Sequence, residues 1–468
     1  MHRLSVPFIL LCSLLLSATA SGQSPARPNI VVILADDLGW GDVGFHGSDI
    51  RTPHIDRLAR EGVVLDQFYT APVCSPTRAG LMTGRYPNRF GLRQTVIPPW
   101  SHFGVDTAEV FLPEMLATAG YAQRAAIGKW HLGHARKMYL PLQRGFTHFY
   151  GFYNGALDYF THKREGELDW HNDRAVSYDS GYTTDLISAE AVRCIRQYSK
   201  DEAPFFVYVA YNAPHGPLQA KKTDLLAYGF DPDQPVFGKG DTRGHGNTKR
   251  QTYSAMVSCM DQGIGRILKT LDELQLSDNT VVLFFSDNGA APNGGGSHGS
   301  LRGWKFQEWN GGVRAPAIIR WPDGLKEPGK TRQVMGYIDV MPTLMAIAGV
   351  KNPPDSLDGR NMLAILQGHK KAIDRNFYLG YGALVHSPWK LIRAHAGNPR
   401  MKEKTDLLIN IFKDPAERQD EKKKHPAVYR RLKKAVRPFD AIQPLHAVPP
   451  YGQGRKGFVA PKNWVIKQ

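Results

Sequence analysis

The sequence predicts an α/β fold built on a largely parallel sheet covered on both faces, and three observations carry that prediction. Short apolar runs rich in β-branched and aromatic residues, at 30–35, 205–210 and 281–285, have the length and composition of strands buried on both sides. Helix-like stretches separate them, as crossovers between parallel strands require. Each run stops abruptly in polar groups, and ligands of such sheets sit beyond the carboxyl ends of the strands.

Taken in order, residues 30–35 run into Asp36 and Asp37. Residues 68–73 form a strand-like approach to Cys74-Ser75-Pro76-Thr77-Arg78. Proline is favoured in the first turn of a helix, so Cys74 is expected beside a helix N-terminus, which attracts anions. Residues 121–127 lead to Lys129-Trp130-His131, residues 205–210 to Asn212 and His215, and residues 281–285 through Ser286 to Asp287-Asn288-Gly289. Lys305 follows the Gly-rich segment 294–299. Singly, these pieces are ordinary: Asp287-Asn288-Gly289 is a common turn, Asp36-Asp37 a turn with a helix cap, and a lone Cys a small buried hydrophobe. Their agreement is not ordinary. Three carboxylates and an amide oxygen converge on one sheet edge, a set of hard oxygen ligands suited to calcium or magnesium.

On these residues the chain resembles the type I, formylglycine-dependent sulfatases. The resemblance is carried by Asp36-Asp37 followed by Leu-Gly-Trp-Gly-Asp, by Cys-x-Pro-x-Arg at 74–78 continued by Leu-Met-Thr-Gly-Arg at 81–85, and by Gly-Lys-Trp-His-Leu-Gly at 128–133. Asp287-Asn288-Gly289, Leu-Arg-Gly-Trp-Lys at 301–305 and Gly-Gly-Val-Arg at 311–314 complete the set in the family's order. The flanks at 43–47, 51–54, 144–146 and 213–219 are most similar to the arylsulfatase B subfamily, the N-acetylgalactosamine-4-sulfatases.

The resemblance implies an alkaline-phosphatase-like α/β/α sandwich with a smaller C-terminal subdomain holding an antiparallel sheet. It also implies that Cys74 is oxidised during export to Cα-formylglycine, whose hydrated aldehyde attacks sulfur and then expels sulfate. Asp36, Asp37, Asp287 and Asn288 match the calcium ligands, with the modified Cys74 also touching the metal. Arg78 matches the residue holding the hydrated aldehyde, Lys129 a cation binding sulfate or formylglycine, and His131 the base releasing sulfate. His215 and Lys305 match the leaving-group pair, and His215 is the expected proton donor because an unperturbed imidazole titrates nearest neutrality. A soft thiolate is a poor match for a hard cation, which independently favours an oxygen nucleophile at position 74.

The N-terminus predicts export. Arg3, an apolar run over 8–16 and Ser17-Ala-Thr-Ala20 read as a signal peptide spanning 1–22. Leu11 before Cys12 does not fit a lipoprotein anchor, and no later segment is apolar enough to span a membrane. The absence of any Asn-x-Ser/Thr sequon points to a bacterial periplasmic or secreted enzyme. Cys194 and Cys259, each on a helix-like segment, form either one disulfide or two buried thiols, the helical setting favouring thiols.

Domain organisation follows composition. Residues 23–355 are read as the catalytic domain, with a polar insertion at 220–252 as a rim loop and a boundary at the turn-rich Lys351-Asn-Pro-Pro-Asp355. Residues 356–468 are a small basic subdomain with strands at 377–381, 389–393 and 406–411, a charged helix at 427–436 and an irregular tail that lines the substrate cleft. Residues 351–468 carry 24 Lys or Arg against 10 Asp or Glu, a net +14 of the chain's +16. Nucleic acid is excluded as a partner by export and by the lack of a recognition motif; the alternatives are a solvated helix face and a sulfated polyanion. The implied partners are a sulfated oligo- or polysaccharide and a formylglycine-generating maturase. Three function classes stand: a glycan sulfatase, a phosphonate or phosphate ester hydrolase sharing the signature, and a glycan-binding protein with a decayed site, disfavoured because every catalytic position is filled.

Overall fold

The computed structural model describes residues 27–466 apart from 93, 94, 326, 445 and 447, so the expected signal peptide with Cys12 lies outside the described residues. A ten-stranded sheet runs in the order Gly329–Thr331, Val63–Leu65, Ala317–Arg320, Thr280–Ser286, Asn29–Ala35, Phe205–Ala210, Gln123–Lys129, His148–Phe152, His171–Asn172 and Ala175–Val176. The five long central strands are mutually parallel, and antiparallel pairs flank them on both sides.

Asn29–Ala35 shows why the sheet is covered twice. Ile30, Val32 and Leu34 enter one core with the helices Cys74–Thr83, Leu112–Thr118 and Tyr337–Ala348, whereas Val31, Ile33 and Ala35 enter a second with Pro53–Glu61, Thr183–Tyr198 and Lys249–Glu273. Period-two side chains feeding two cores give a three-layer sandwich. No helix among the described residues is long and apolar enough to cross a membrane.

Register aligns the functional residues. Ala35 lies opposite Ser286, Leu34 opposite Ala210, and Ala210 opposite Gly128. The next residues along each strand therefore emerge side by side on one edge, as parallel strands demand. Gly128 has φ +97, and a Cβ there would fall 2.1 Å from the Ala210 carbonyl oxygen, so only glycine lets these two strands close up before Lys129.

Two expectations are revised in detail. The approach to Cys74 is a strand only at Phe68–Tyr69, paired with Met335–Gly336 in a separate two-stranded sheet, because Thr70 turns its N–H to the Val313 carbonyl and Pro72 has none to offer. The insertion at 220–252 contributes no lining residue to the cleft over Cys74. Cys194 and Cys259 are separate buried thiols.

The C-terminal sheet is antiparallel, Phe377–Gly380, Ala383–His386, Trp389–Ile392 and Leu407–Asn410, followed by the helix Pro426–Ala435. That helix buries only Leu432 and leaves Arg430, Arg431 and Lys434 exposed. The fully buried Lys390 ammonium lies 2.6 Å from Glu417 and 3.0 Å from the Asn310 side-chain oxygen, while Glu417 also accepts the Asn310 N–H at 2.5 Å. This pair fastens the small sheet to the loop that carries Lys305.

One ion pair gives a stability prediction. His148, at the start of the strand His148–Phe152, contacts Asp173 through Nδ1 at 2.9 Å and Glu190 through Nε2 at 2.6 Å. Burial opposes its charge, yet contacts with Cys194 and Glu190 and the charge of Asp173 outweigh it, raising the pKa to about 10. A pKa raised by folding stabilises the protein below the unfolded value, and that contribution is lost as pH climbs through the folded value. The melting temperature is expected to fall between about pH 7 and pH 10, with on the order of 1–3 kcal/mol from this group, and to fall less in His148→Gln. Parallel pH profiles of the two proteins would contradict this.

Candidate active site

Cys74 opens the helix Cys74–Thr83, whose ten residues are all buried and which stops at Gly84 in the left-handed region, φ 65. Pro76 sits in the first turn as expected, and the N-terminal backbone dipoles point toward position 74. Cys74 is 2% exposed at the floor of a cleft of about 590 Å³. Burial raises the thiol pKa, against the pull of Lys129 and Lys305, and Asp36 and Asp287 push it the same way as burial. As a thiol the group stays protonated and weakly nucleophilic.

Four strand ends deliver the surrounding groups. Arg78, one turn along the helix and fully buried, donates through Nε to Asp287 at 3.0 Å and through Nη1 to the Lys129 carbonyl at 3.1 Å. Lys129 Nζ lies 2.5 Å from Asp36 Oδ2, and Lys305 Nζ 2.6 Å from Asp37 Oδ1. Asp37 has φ 65 and His131 φ 58, left-handed backbone that non-glycine residues hold only where the surroundings enforce it.

His131 has a defined tautomer. Its Nε2 lies 3.1 Å from the Ile97 carbonyl oxygen, which can only accept, so Nε2 carries the proton. The unprotonated Nδ1 therefore faces Cys74 Sγ at 3.4 Å. Burial first, then Lys129 and Arg78, hold the ring well below its ordinary pKa, so it is a neutral base. Ser75 fixes this arrangement, donating to the His131 carbonyl at 3.1 Å and accepting the Ile97 N–H at 3.3 Å. A Cβ at Gly155 would meet the His131 ring at 2.5 Å.

The oxygen cluster fits a hard divalent cation. Ligand atoms of Asp36, Cys74 and Asp287 lie within 4.8 Å of one another, as do those of Asp36, Asp37 and His215. Asn288 spends its NH₂ on Asp37 at 2.7 Å and on the Gly289 carbonyl at 2.9 Å, leaving its Oδ1 buried without a hydrogen-bond partner, as is the Oδ1 of Asp36. Orphaned lone pairs of this kind call for a partner. Burial first, then the charge of Asp36, raises Asp287 to about 6, a repulsion that a cation removes.

A family model described as "Sulfatase" matches residues 28–350, and one described as "N-sulphoglucosamine sulphohydrolase, C-terminal" matches residues 303–438. The chain belongs to the sulfatase family. It is 32% identical to arylsulfatase J of Mus musculus over 90% of this chain and 77% of that protein. It is 35% identical to N-acetylgalactosamine-6-sulfatase of Homo sapiens over 77% of this chain and 69% of that one. Among solved structures it is similar to Ps i-CgsB in complex with k-i-k-neocarrahexaose, with TM-score 0.79, 31% identity, and coverage of 92% of this chain and 97% of that one.

In this sulfatase all the residues anticipated from sequence, Asp36, Asp37, Cys74, Arg78, Lys129, His131, His215, Asp287, Asn288 and Lys305, are brought to one sheet edge. One premise about them fails. His215 does not titrate near neutrality: burial takes its pKa to about 3, against the pull of Asp37, and Lys305 and Lys129 add to the effect. Its Nδ1 lies 2.6 Å from the Gly216 carbonyl oxygen and its Nε2 3.8 Å from Asp37. Lys305, in contrast, is held firmly protonated: burial opposes its charge, but Asp37 and its neighbours outweigh that.

Sequence reasoning missed Ser75 and Gly155, whose roles come from contacts distant in the chain. It also missed the cleft residues Arg164, Phe306 and Arg400. The anticipated contribution of the tail to the cleft is made by Tyr451, whose carbonyl accepts the Trp100 indole N–H at 2.6 Å.

Proposed function

We propose that this sulfatase is an exported hydrolase of sulfate esters on glycans, acting through formylglycine at Cys74 and a calcium ion held by Asp36, Asp37, Asp287 and Asn288. The observation that carries the reading is the orientation of His131, a neutral base aimed from 3.4 Å at a buried Cys74 that is poorly nucleophilic as a thiol. A hydrated aldehyde at position 74 would supply one hydroxyl to attack sulfur and a second whose deprotonation would expel sulfate, and a cation held by the four oxygen ligands would supply positive charge beside them. His131 takes the second hydroxyl's proton at Nδ1 while Ile97 holds Nε2–H in place. Arg78, locked against Asp287, keeps position 74 oriented. Lys129 adds positive charge beside the same carboxylates. Lys305 carries a proton on Nζ for the leaving oxygen, and His215 gains one as the negative charge of the sulfate enters and raises its pKa.

The substrate we infer is the 4-O-sulfate of N-acetylgalactosamine in chondroitin- or dermatan-type chains, supported by the sequence likeness at 44–51, 139–146 and 213–219 to the 4-sulfatases. A galactan sulfate is the second reading, favoured by the likeness to a protein solved with a neocarrahexaose. The relatives are named arylsulfatase J, N-acetylgalactosamine-6-sulfatase and steryl-sulfatase, so substrate and position are what the experiment must decide. The test is a panel of 4-O- and 6-O-sulfated galactosamine, galactan and heparan-type saccharides, with aryl sulfate and aryl phosphate alongside. Preferential 4-O release, strengthened on longer chains in a salt-sensitive way by the basic C-terminal region, is the expected result. Cleavage of only 6-O-sulfate, galactans or heparan-type sugars overturns the substrate, and preference for the phosphate overturns the sulfatase chemistry.

A further inference from the structure

The cleft above Cys74 is more cationic than removal of one sulfate needs. Among the described residues no Asp or Glu lines it, whereas Arg164 and Arg400 join Lys305 in its wall. Arg400 is exposed and has no carboxylate partner among the described residues, yet its backbone is fixed: its N–H donates to Asn398 Oδ1 at 2.9 Å and its carbonyl accepts from Gln307 Nε2 at 2.9 Å. Among the described residues, Arg164 has a buried Nε with no hydrogen-bond partner and one ion pair, to Glu165 at 3.4 Å. The Trp464 indole N–H fixes its carbonyl at 3.0 Å.

Between Lys305 and Arg400 lies Phe306, which is 36% exposed and holds φ 76, a strained conformation for a bulky residue. Its N–H donates to the Pro72 carbonyl at 2.7 Å, and its own carbonyl accepts from Asn398 Nδ2 at 2.9 Å. The residue thus held lines the cleft, with the Arg400 guanidinium 5.4 Å and the Lys305 ammonium 5.6 Å from its ring centroid. A partly exposed ring flanked by a guanidinium that has no carboxylate partner among the described residues suits a sugar bearing an anionic substituent.

Building on the sulfatase reading above, we propose that Arg164 and Arg400 bind a second anionic group, a sulfate or a uronate carboxylate, on the saccharide whose scissile sulfate lies over Cys74, with Phe306 as the floor for the sugar ring. The substrate class is thus a doubly anionic glycan unit. Guanidinium forks match either oxyanion bidentately, so two arms separate the sources. In one, kcat/KM is compared for saccharides with and without a second sulfate; in the other, for saccharides with a uronate and with that carboxyl reduced to an alcohol. Both use the chondroitin- or galactan-type saccharide that the panel identifies. At least one removal is expected to lower wild-type kcat/KM by about tenfold, and Arg400→Gln and Arg164→Gln are each expected to shrink that ratio toward unity. Because the ratio is taken within one preparation, it is independent of how fully Cys74 is converted. Equal rates in both arms, or a wild-type ratio retained by both variants, overturn this inference alone; no turnover of any sulfate ester, aryl sulfate included, overturns the sulfatase reading with it.

Discussion

Cys74→Ala is expected to lower sulfate-ester turnover by at least about 10⁴-fold while leaving the protein folded. Cys74 is buried but borders the cleft, and the only side-chain hydrogen-bonding contact it makes among the described residues is the 3.4 Å approach to His131, so truncation removes one polarisable atom and opens space already next to solvent. The stability cost should be about 1 kcal/mol or less. Circular dichroism and thermal melting establish the fold, and assay of an aryl sulfate measures the loss. Near-normal turnover in a folded variant would sink a nucleophile at position 74.

Removal of the metal should produce the next largest effect. Exhaustive chelation is expected to cut turnover by roughly 10²–10³-fold and to lower the melting temperature, because Asp36, Asp37 and Asp287 then share a dry edge without their cation. Asp37→Asn should weaken metal retention and turnover together. That substitution also strips the Lys305 ammonium, 5% exposed, of its 2.6 Å partner, and breaking a buried pair in this way costs about 3–5 kcal/mol. Chelation separates the two contributions, since it spares the Lys305 contact. Unchanged activity in protein that elemental analysis finds free of divalent cation would refute the metal assignment.

Much of the site was legible because its chemistry is local in sequence. Asp36-Asp37 and Asp287-Asn288 follow directly on strands and Lys129 ends one, and a parallel sheet must place such residues together. The doubly buried core was legible for the same reason, since runs without polar alternation have no solvent face. What sequence hid depends on environment. An isolated imidazole titrates near neutrality, but His215 is depressed to about 3 by burial that only the folded sheet edge creates. The tautomer of His131 depends on the Ile97 carbonyl, 34 residues away in the chain. Arg164, Phe306 and Arg400 lie in no motif; they become a group only when Asn398 and Trp464 tie the C-terminal segments down beside the catalytic loop. The short antiparallel strands Val63–Leu65 and Ala317–Arg320 at one flank of the sheet have too few residues to declare a period.

The central claim, an oxygen nucleophile made from Cys74, is tested most directly by mass spectrometry of the peptide spanning Cys74 in preparations of differing specific activity. The account predicts an aldehyde at position 74, in an amount that rises in proportion to turnover. Full turnover by protein in which Cys74 is wholly thiol would contradict it.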